Sequence, residues 1–153
     1  AVKTLAAFTG FKNRQQIAEK NGVIVIDDTY NASPVSMKAG LEVLEAKAKG
    51  RRIAVLADMK ELGPDSAKFH YEVGSWMKSH PVDVLFTYGE LALQIEKGAK
   101  RAGMKAEYLH FDENQKEAMV DALKAKLQTG DCVLLKGSNS MRLGEVAAKL
   151  LAE

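Results

Sequence analysis

The sequence predicts a three-layer α/β fold, with a mostly parallel six-stranded sheet, one antiparallel edge strand, and flanking helices. Two observations carry this. Short apolar runs recur along the chain and are continuous rather than alternating, as strands buried on both faces require. Segments with helical periodicity lie between them. Strands that alternate with such segments run parallel and are joined by right-handed crossovers.

The elements follow in order. Residues 14–20 are predicted as an extra strand, and Asn21-Gly22 behind it is the dipeptide that a two-residue hairpin turn demands. That strand therefore runs antiparallel to the next. Val23-Ile24-Val25-Ile26, bounded by Gly22 and Asp27, is the first parallel strand. A helix is predicted over 34–49 from Met37, Leu41, Val43 and Leu44, with Ser33 as N-cap, Pro34 at the first position and Gly50 as the stop. Residues 53–57 form a strand. Residues 66–80 form a helix through Phe69, Val73, Trp76 and Met77. Residues 82–87 form a strand, and 91–102 a helix that stops at Gly103. Residues 107–111 alternate, which suits an edge strand. Asp112 and Gln115 open a helix over 112–128 with a capping box. Residues 132–135 close the sheet, and 141–151 form the last helix with Ser140 as its cap. The whole is Rossmann-like. Residues 1–12 read as a boundary segment, and residues 13–153 as the domain.

Composition excludes several classes. The chain has 153 residues, 46% hydrophobic and 27% charged, which excludes a disordered or collagen-like protein. Lys+Arg is 22 and Asp+Glu 20, for a net charge of +2, a poor match for a dedicated nucleic-acid surface. Cys132 is the single cysteine, so no internal disulfide can form. Cys132, His70, His80 and His110 lack the short spacing of a structural zinc site. No apolar run reaches the roughly 20 residues of a membrane helix, and residues 1–10 lack the build of a signal peptide. A soluble, cytoplasmic domain is expected. The first residue is Ala1 rather than Met, which suggests a piece of a longer chain, with removal of the methionine by processing as the alternative.

In an open α/β sheet, ligands sit beyond the carboxyl ends of the strands. Three strand ends there carry unusual chemistry: Asp27-Asp28-Thr29-Tyr30-Asn31, Asp58-Met59-Lys60-Glu61-Leu62-Gly63 and Lys136-Gly137-Ser138-Asn139-Ser140. The last joins a lysine, a glycine and two hydroxyls ahead of a helix, which suits a phosphate or carboxylate. Taken alone, the turn is also explained, and somewhat better, by plain N-capping by Ser140 with Lys136 in solvent. Asp27 and Asp28 suit a magnesium ion, a ribose hydroxyl or the orientation of Lys136, but also serve as ordinary turn acceptors. Tyr30 and Asn31 suit a nucleotide base. His70 reads as a packing or solvated histidine, and Cys132 as inert. A strand-end lysine is expected to be exposed, so Lys136 should add little to folding. No Gly-x-x-x-x-Gly-Lys-Ser/Thr, Gly-x-Gly-x-x-Gly or Gly-x-Ser-x-Gly is present, so the chain has no P-loop, dinucleotide fingerprint or nucleophile elbow of its own.

Together the motifs resemble one family. Val25-Ile26-Asp27-Asp28-Thr29-Tyr30-Asn31-Ala32-Ser33-Pro34-Val35-Ser36-Met37 looks like the opening motif of the C-terminal domain of Mur ligases. Asp58 to Gly63 followed by His70, and Val133 to Met141, resemble that domain's other two motifs. The tyrosine–asparagine form is that of the branch that joins D-alanyl-D-alanine to UDP-N-acetylmuramoyl-tripeptide. The resemblance implies a part in ATP-dependent amide formation through an acyl phosphate. This domain closes over ATP and receives the dipeptide, with the chain's own N-terminal and central domains as partners. The central domain carries the P-loop and holds most of the Mg2+, so the isolated chain is expected to be inactive. Residues 1–12 are then a linker or the end of the central domain. Carried over by motif, Asp28, Tyr30 and Asn31 face the nucleotide, with Asp27 in support. Lys136, Gly137 and Ser138 face the dipeptide carboxylate or acyl phosphate, while Asp58 and Glu61 approach the dipeptide ammonium or position the loop, with Lys136 the candidate for a catalytic role and no metal ligand here. Two departures are Ser33 where the family often has asparagine, and Ala57 where glycine is common. The rival assignment is a phosphoacceptor receiver domain, whose acids, hydroxyl and lysine Asp27, Asp28, Asp58, Thr87 and Lys136 mimic. A flavin-binding or generic Rossmann-like module is a third.

Overall fold

The computed structural model describes residues 3–7, 15–30 and 32–152. Among these residues seven strands form one sheet: β1 (Lys3–Ala7), β2 (Gln16–Lys20), β3 (Val23–Asp28), β4 (Arg52–Ala57), β5 (Val84–Tyr88), β6 (Glu107–Phe111) and β7 (Cys132–Lys136). Their order is β1-β2-β3-β7-β4-β5-β6. The run from β3 to β6 is parallel, and β1 and β2 are added antiparallel. The six expected strands are all present, with β6 at an edge. The seventh, β1, lies in the segment that the sequence assigns to a boundary. The β2–β3 turn places Asn21 at φ 54 and Gly22 at φ 80, the paired positive angles of a type I′ hairpin.

Among the described residues five α-helices cover the sheet: α1 (Pro34–Lys47), α2 (Ser66–Trp76), α3 (Ala92–Ala102), α4 (Lys116–Lys126) and α5 (Leu143–Leu151). Successive strand residues point to opposite faces, which divides the core in two. Ile26, Ala54, Leu56, Leu85 and Leu134 pack with Leu41, Leu44, Val73 and Ile95 from α1, α2 and α3. Val25, Ile53, Val55, Phe86, Val133 and Leu135 pack with Met119, Leu123, Leu143 and Val146 from α4 and α5. Each fully buried aliphatic side chain contributes on the order of 1.5–3 kcal/mol, so the continuous apolar runs of β4 and β7 anchor the fold.

The helix ends differ from the predicted ones where local bonds intervene. Ser33 caps α1 as expected, in a reciprocal pair with Ser36. α2 stops at Trp76, and a tighter 3₁₀ turn follows over Met77–Ser79. The Asp112–Gln115 capping box forms, but around a 3₁₀ turn ahead of α4. Ser140 does not cap the last helix. Residues Asn139–Met141 form a 3₁₀ turn, Arg142 takes φ 61, and α5 starts only at Leu143.

The order also rejects a receiver domain. Receivers follow the flavodoxin-like order, in which the first parallel strand lies between the second and third. Here β7 separates β3 from β4.

Candidate functional site

β3, β7 and β4 lie side by side, so their carboxyl ends form one rim. The parallel register sets Asp28 opposite Lys136, and Leu56 of β4 beside the same lysine. Lys136 Nζ lies 3.0 Å from Asp28 Oδ2, with side-chain exposures of 2% and 10%. The expectation of an exposed Lys136 is therefore corrected: β7 is an interior strand, and α1 roofs its end. Gly40 of α1 makes room for the pair, since a Cβ there would lie 2.9 Å from Lys136 Cδ and 3.3 Å from Asp28 Oδ2. Gln15 Nε2 donates to the same Asp28 oxygen at 3.4 Å. Asp27 faces differently, and its Oδ1 accepts a 2.6 Å bond from Thr29 Oγ1. Burial pushes its carboxyl above the usual range, the Thr29 bonds pull it back, and the charge of Asp28 adds to the rise.

The loop after β4 is stitched to the loop after β7. Ser138 N–H donates to Asp58 O at 3.0 Å, and Ser138 Oγ accepts from Lys60 N–H at 2.7 Å. That second bond explains why the Ser138 side chain makes no capping bond to the 3₁₀ turn that follows: its oxygen has a tertiary donor. Asp58 turns inward. It is 1% exposed, and its Oδ1 accepts the Ala92 N–H at 2.7 Å, satisfying a free donor at the start of α3. Lys60 Nζ stands 3.6 Å from its other oxygen and 3.9 Å from Glu113. Gly137 permits close approach of the two loops, since a Cβ there would lie 2.5 Å from Ala57 Cβ. The departure at Ala57 thus makes the glycine at 137 mandatory.

Two open clefts flank the 139–140 turn. The first, about 470 Å³, is lined by Ala32, Lys60, Glu61, Leu62, Ser138, Asn139 and Ser140. Glu61 reaches it from a left-handed backbone at φ 62, a conformation that costs a non-glycine residue about 1 kcal/mol or more. The second, about 540 Å³, adds Thr29, Arg142, Gly144 and Glu145 to the same two residues. There Arg142 and Lys116 both bond Glu145, at 2.6 and 2.9 Å, and together hold its carboxyl down to about 2. The clefts present cations, carboxylates, hydroxyls and an amide to a polar ligand.

Of the sequence candidates, Glu61 and Ser138 line the first cleft, while Lys136 and Asp28 form the buried pair beside it. Gly137 serves by its missing side chain, and Asp58 by fixing a helix start. Tyr30 is 47% exposed at the end of β3. Asn31 lies outside the described residues. Lys60, Asn139, Ser140 and Arg142 are site residues that the candidate set missed; all sit within or beside the quoted motifs, which was the available signal. His70 was left without a role. It is fully buried, its Nε2 accepts the Met59 N–H at 2.9 Å, and its Nδ1 lies 2.6 Å from Ser66 O. Thr87, a receiver candidate, bonds Glu96 and His110 in the interior. Among the described residues no group of three or more His, Cys, Asp or Glu could hold a metal ion. Asp28 is engaged by Lys136 and Asp27 by Thr29, so this rim does not fit a magnesium ion held by the chain alone. No helix among the described residues is long and apolar enough to cross a membrane.

Comparison with known proteins places this rim in context. Residues 13–139 match the family model described as Mur ligase, glutamate ligase domain. The UDP-N-acetylmuramoyl-tripeptide--D-alanyl-D-alanine ligase of Bacillus subtilis is 37% identical over 136 residues, 88% of this chain and 29% of that protein. The ligase of the same name from Synechocystis is 42% identical over 132 residues, 86% of this chain and 28% of that protein. Among solved structures, the MurF ligase from Thermotoga maritima in complex with ADP superposes with a TM-score of 0.73 at 29% identity, covering 94% of this chain and 31% of that one. MurF from Acinetobacter baumannii superposes with a TM-score of 0.77 at 27% identity, over 95% of this chain and 32% of that one. The chain thus spans a little under a third of the length of these relatives. By the family model, which accounts for most of its length, the chain belongs to the Mur ligase family.

Proposed function

We propose that this chain is the closing domain of an ATP-dependent ligase that joins D-alanyl-D-alanine to UDP-N-acetylmuramoyl-tripeptide. The observation that carries the proposal is the stitched rim. Two loops bearing Lys60, Glu61 and Ser138 are locked together over a polar cleft, beside the Asp28–Lys136 pair. The names of the relatives and the ADP-bound neighbour support the same direction.

In this proposal the chain's neighbours are its own N-terminal and central domains. The central domain supplies the P-loop and most of the Mg2+ contacts, and ATP activates the tripeptide carboxylate as an acyl phosphate. The amine of D-alanyl-D-alanine then attacks that carbonyl, forming the amide and releasing phosphate. The chain's part is to bind and to close. Asp28, Tyr30 and Asn31 belong to the nucleotide side. Glu61 meets the dipeptide ammonium, while Ser138, Gly137 and the field of Lys136 serve the dipeptide carboxylate or acyl phosphate. Asp58 contributes by fixing the loop rather than by contact. Closure excludes the water that would hydrolyse the acyl phosphate. The proposed location is the cytoplasm, where the nucleotide substrates reside.

The test uses the full-length protein that carries this chain. With ATP, Mg2+ and UDP-N-acetylmuramoyl-tripeptide, phosphate release should depend on added D-alanyl-D-alanine, and mass spectrometry should find the pentapeptide product. The 153-residue chain alone should give none, because it has no P-loop. Turnover by the chain alone, or coupling of the full-length protein to a different amine in preference, overturns the proposal.

A further inference from the structure

We propose that His70 is a positioning residue that sets the shape of the amino-substrate cleft through the backbone of Met59. This rests on the ligase function proposed above. His70 lines neither of the two clefts and lies in α2, yet both ring nitrogens are committed to backbone. Met59 N–H can only donate, so Nε2 at 2.9 Å must be an unprotonated acceptor. Ser66 O can only accept, so Nδ1 at 2.6 Å carries the hydrogen. The ring is thereby a neutral, single tautomer that spans the loop and the start of α2.

The three residues that leave β4 are pinned in alternation from two sides. Asp58 O accepts Ser138 N–H, Met59 N–H goes to His70, and Lys60 N–H goes to Ser138 Oγ. Among the described residues, the hydrogen bond that ties this stretch to α2 is the one to His70. The next residue, Glu61, sits at φ 62, a strained angle that persists only where its surroundings over-determine it. Releasing Met59 removes that constraint. Lys60 and Glu61, which line the cleft, then lose their fixed direction. Burial disfavours a charged ring, the Ser66 carbonyl and Asp58 act against this, and Lys60 reinforces it, in line with the neutral tautomer that the two backbone bonds require. α2 itself is seated by backbone-close packing on α3, where a Cβ on Gly74 would lie 1.9 Å from Ile95 O. The imidazole therefore has a rigid base.

Two variants separate the bonds. His70→Gln carries an amide that reaches the Nε2 position and can accept from Met59. His70→Asn reaches only the Nδ1 position and leaves Met59 N–H without an acceptor. In the full-length protein, His70→Asn should raise the KM for D-alanyl-D-alanine about 10-fold or more while the KM for ATP changes less than about 2-fold. His70→Gln should remain within about 3-fold of the parent. Independently of any activity, amide exchange at Met59 should quicken about 100-fold in His70→Asn and stay near the parent rate in His70→Gln, with Val55 unchanged in both. Equal KM values for the two variants, or unchanged exchange at Met59 in His70→Asn, overturn the proposal. If the parent couples no D-alanyl-D-alanine, the ligase function falls, and the exchange contrast still decides whether His70 holds the loop.

Discussion

Lys136 shows what a residue can hide when read alone. Beside Gly137-Ser138 it resembles a solvent-facing phosphate or carboxylate ligand. In the fold it is 2% exposed and paired with Asp28 at 3.0 Å. Its charge still acts on the rim, but its removal has a structural cost. Deleting one partner of a buried pair leaves the other charge desolvated, a loss of about 3–5 kcal/mol. Lys136→Ala should therefore lower the unfolding free energy of the chain by about 3 kcal/mol or more, measured by urea denaturation. Lys136→Met with Asp28→Asn should restore much of it, because both charges leave together and the volume remains. A Lys136→Ala variant as stable as the parent would mean that the pair opens to solvent. Loss of activity in Lys136→Ala is interpretable only per folded molecule.

At the scale of elements, the strands and most helix positions were legible because they rest on local patterns. Val23 to Ile26 and Cys132 to Leu135 are apolar on both faces, and Asn21-Gly22 carries its own turn geometry. What failed depends on distant neighbours. Ser140 reads as a cap until a 3₁₀ turn occupies 139–141 and places Arg142 ahead of α5. Asp58 reads equally as a ligand or as a loop-positioning acid until Ala92 N–H supplies its partner from 34 residues away. The strand β1 gave no signal that outweighed its place in a boundary segment. The glycines inside α2 and α3 were equally silent, for glycine mid-helix is a local weakness. Their reason is packing: a Cβ on Gly74 would lie 1.9 Å from Ile95 O, and one on Gly98 would lie 2.1 Å from Tyr71 O. Alanine would gain about 1 kcal/mol of helix propensity and lose more to a backbone clash that no rotamer relieves. Gly74→Ala should thus destabilise the chain by about 2 kcal/mol net, seen as a lower melting temperature. At the rim the opposite substitution tests the same logic. Gly137→Ala should destabilise in the presence of Ala57 and much less in an Ala57→Gly background, a coupling that a double-mutant cycle reads directly.

At the scale of the whole molecule, β7 lies between β3 and β4, so the last crossover brings the loop after β7 against the loops that end the first two parallel strands. One rim thus gathers residues from across the chain, and its integrity is tied to global folding through His70. The sign of that coupling follows from ionisation. Burial lowers the affinity of His70 for a proton below the ordinary value of 6.5, the Ser66 carbonyl and Asp58 oppose this, and Lys60 reinforces it. The unfolded chain therefore binds a proton that the folded chain resists. The His70 contribution to stability is complete above about pH 6.5 and is lost as pH falls from there toward the depressed folded value. Asp131 behaves in the same sense at a lower pH: burial pushes its carboxyl up, but Arg51 and the Gln128 N–H outweigh it and hold it below the ordinary 3.8. Denaturation of the chain at pH 7.5 and pH 5.5 should consequently show lower stability at pH 5.5. His70→Gln should narrow the difference between the two, because its side chain takes up no proton, while Met59 keeps an acceptor. The same slope in both proteins would place the acid-sensitive group elsewhere and would detach the shape of the cleft from the acid stability of the fold.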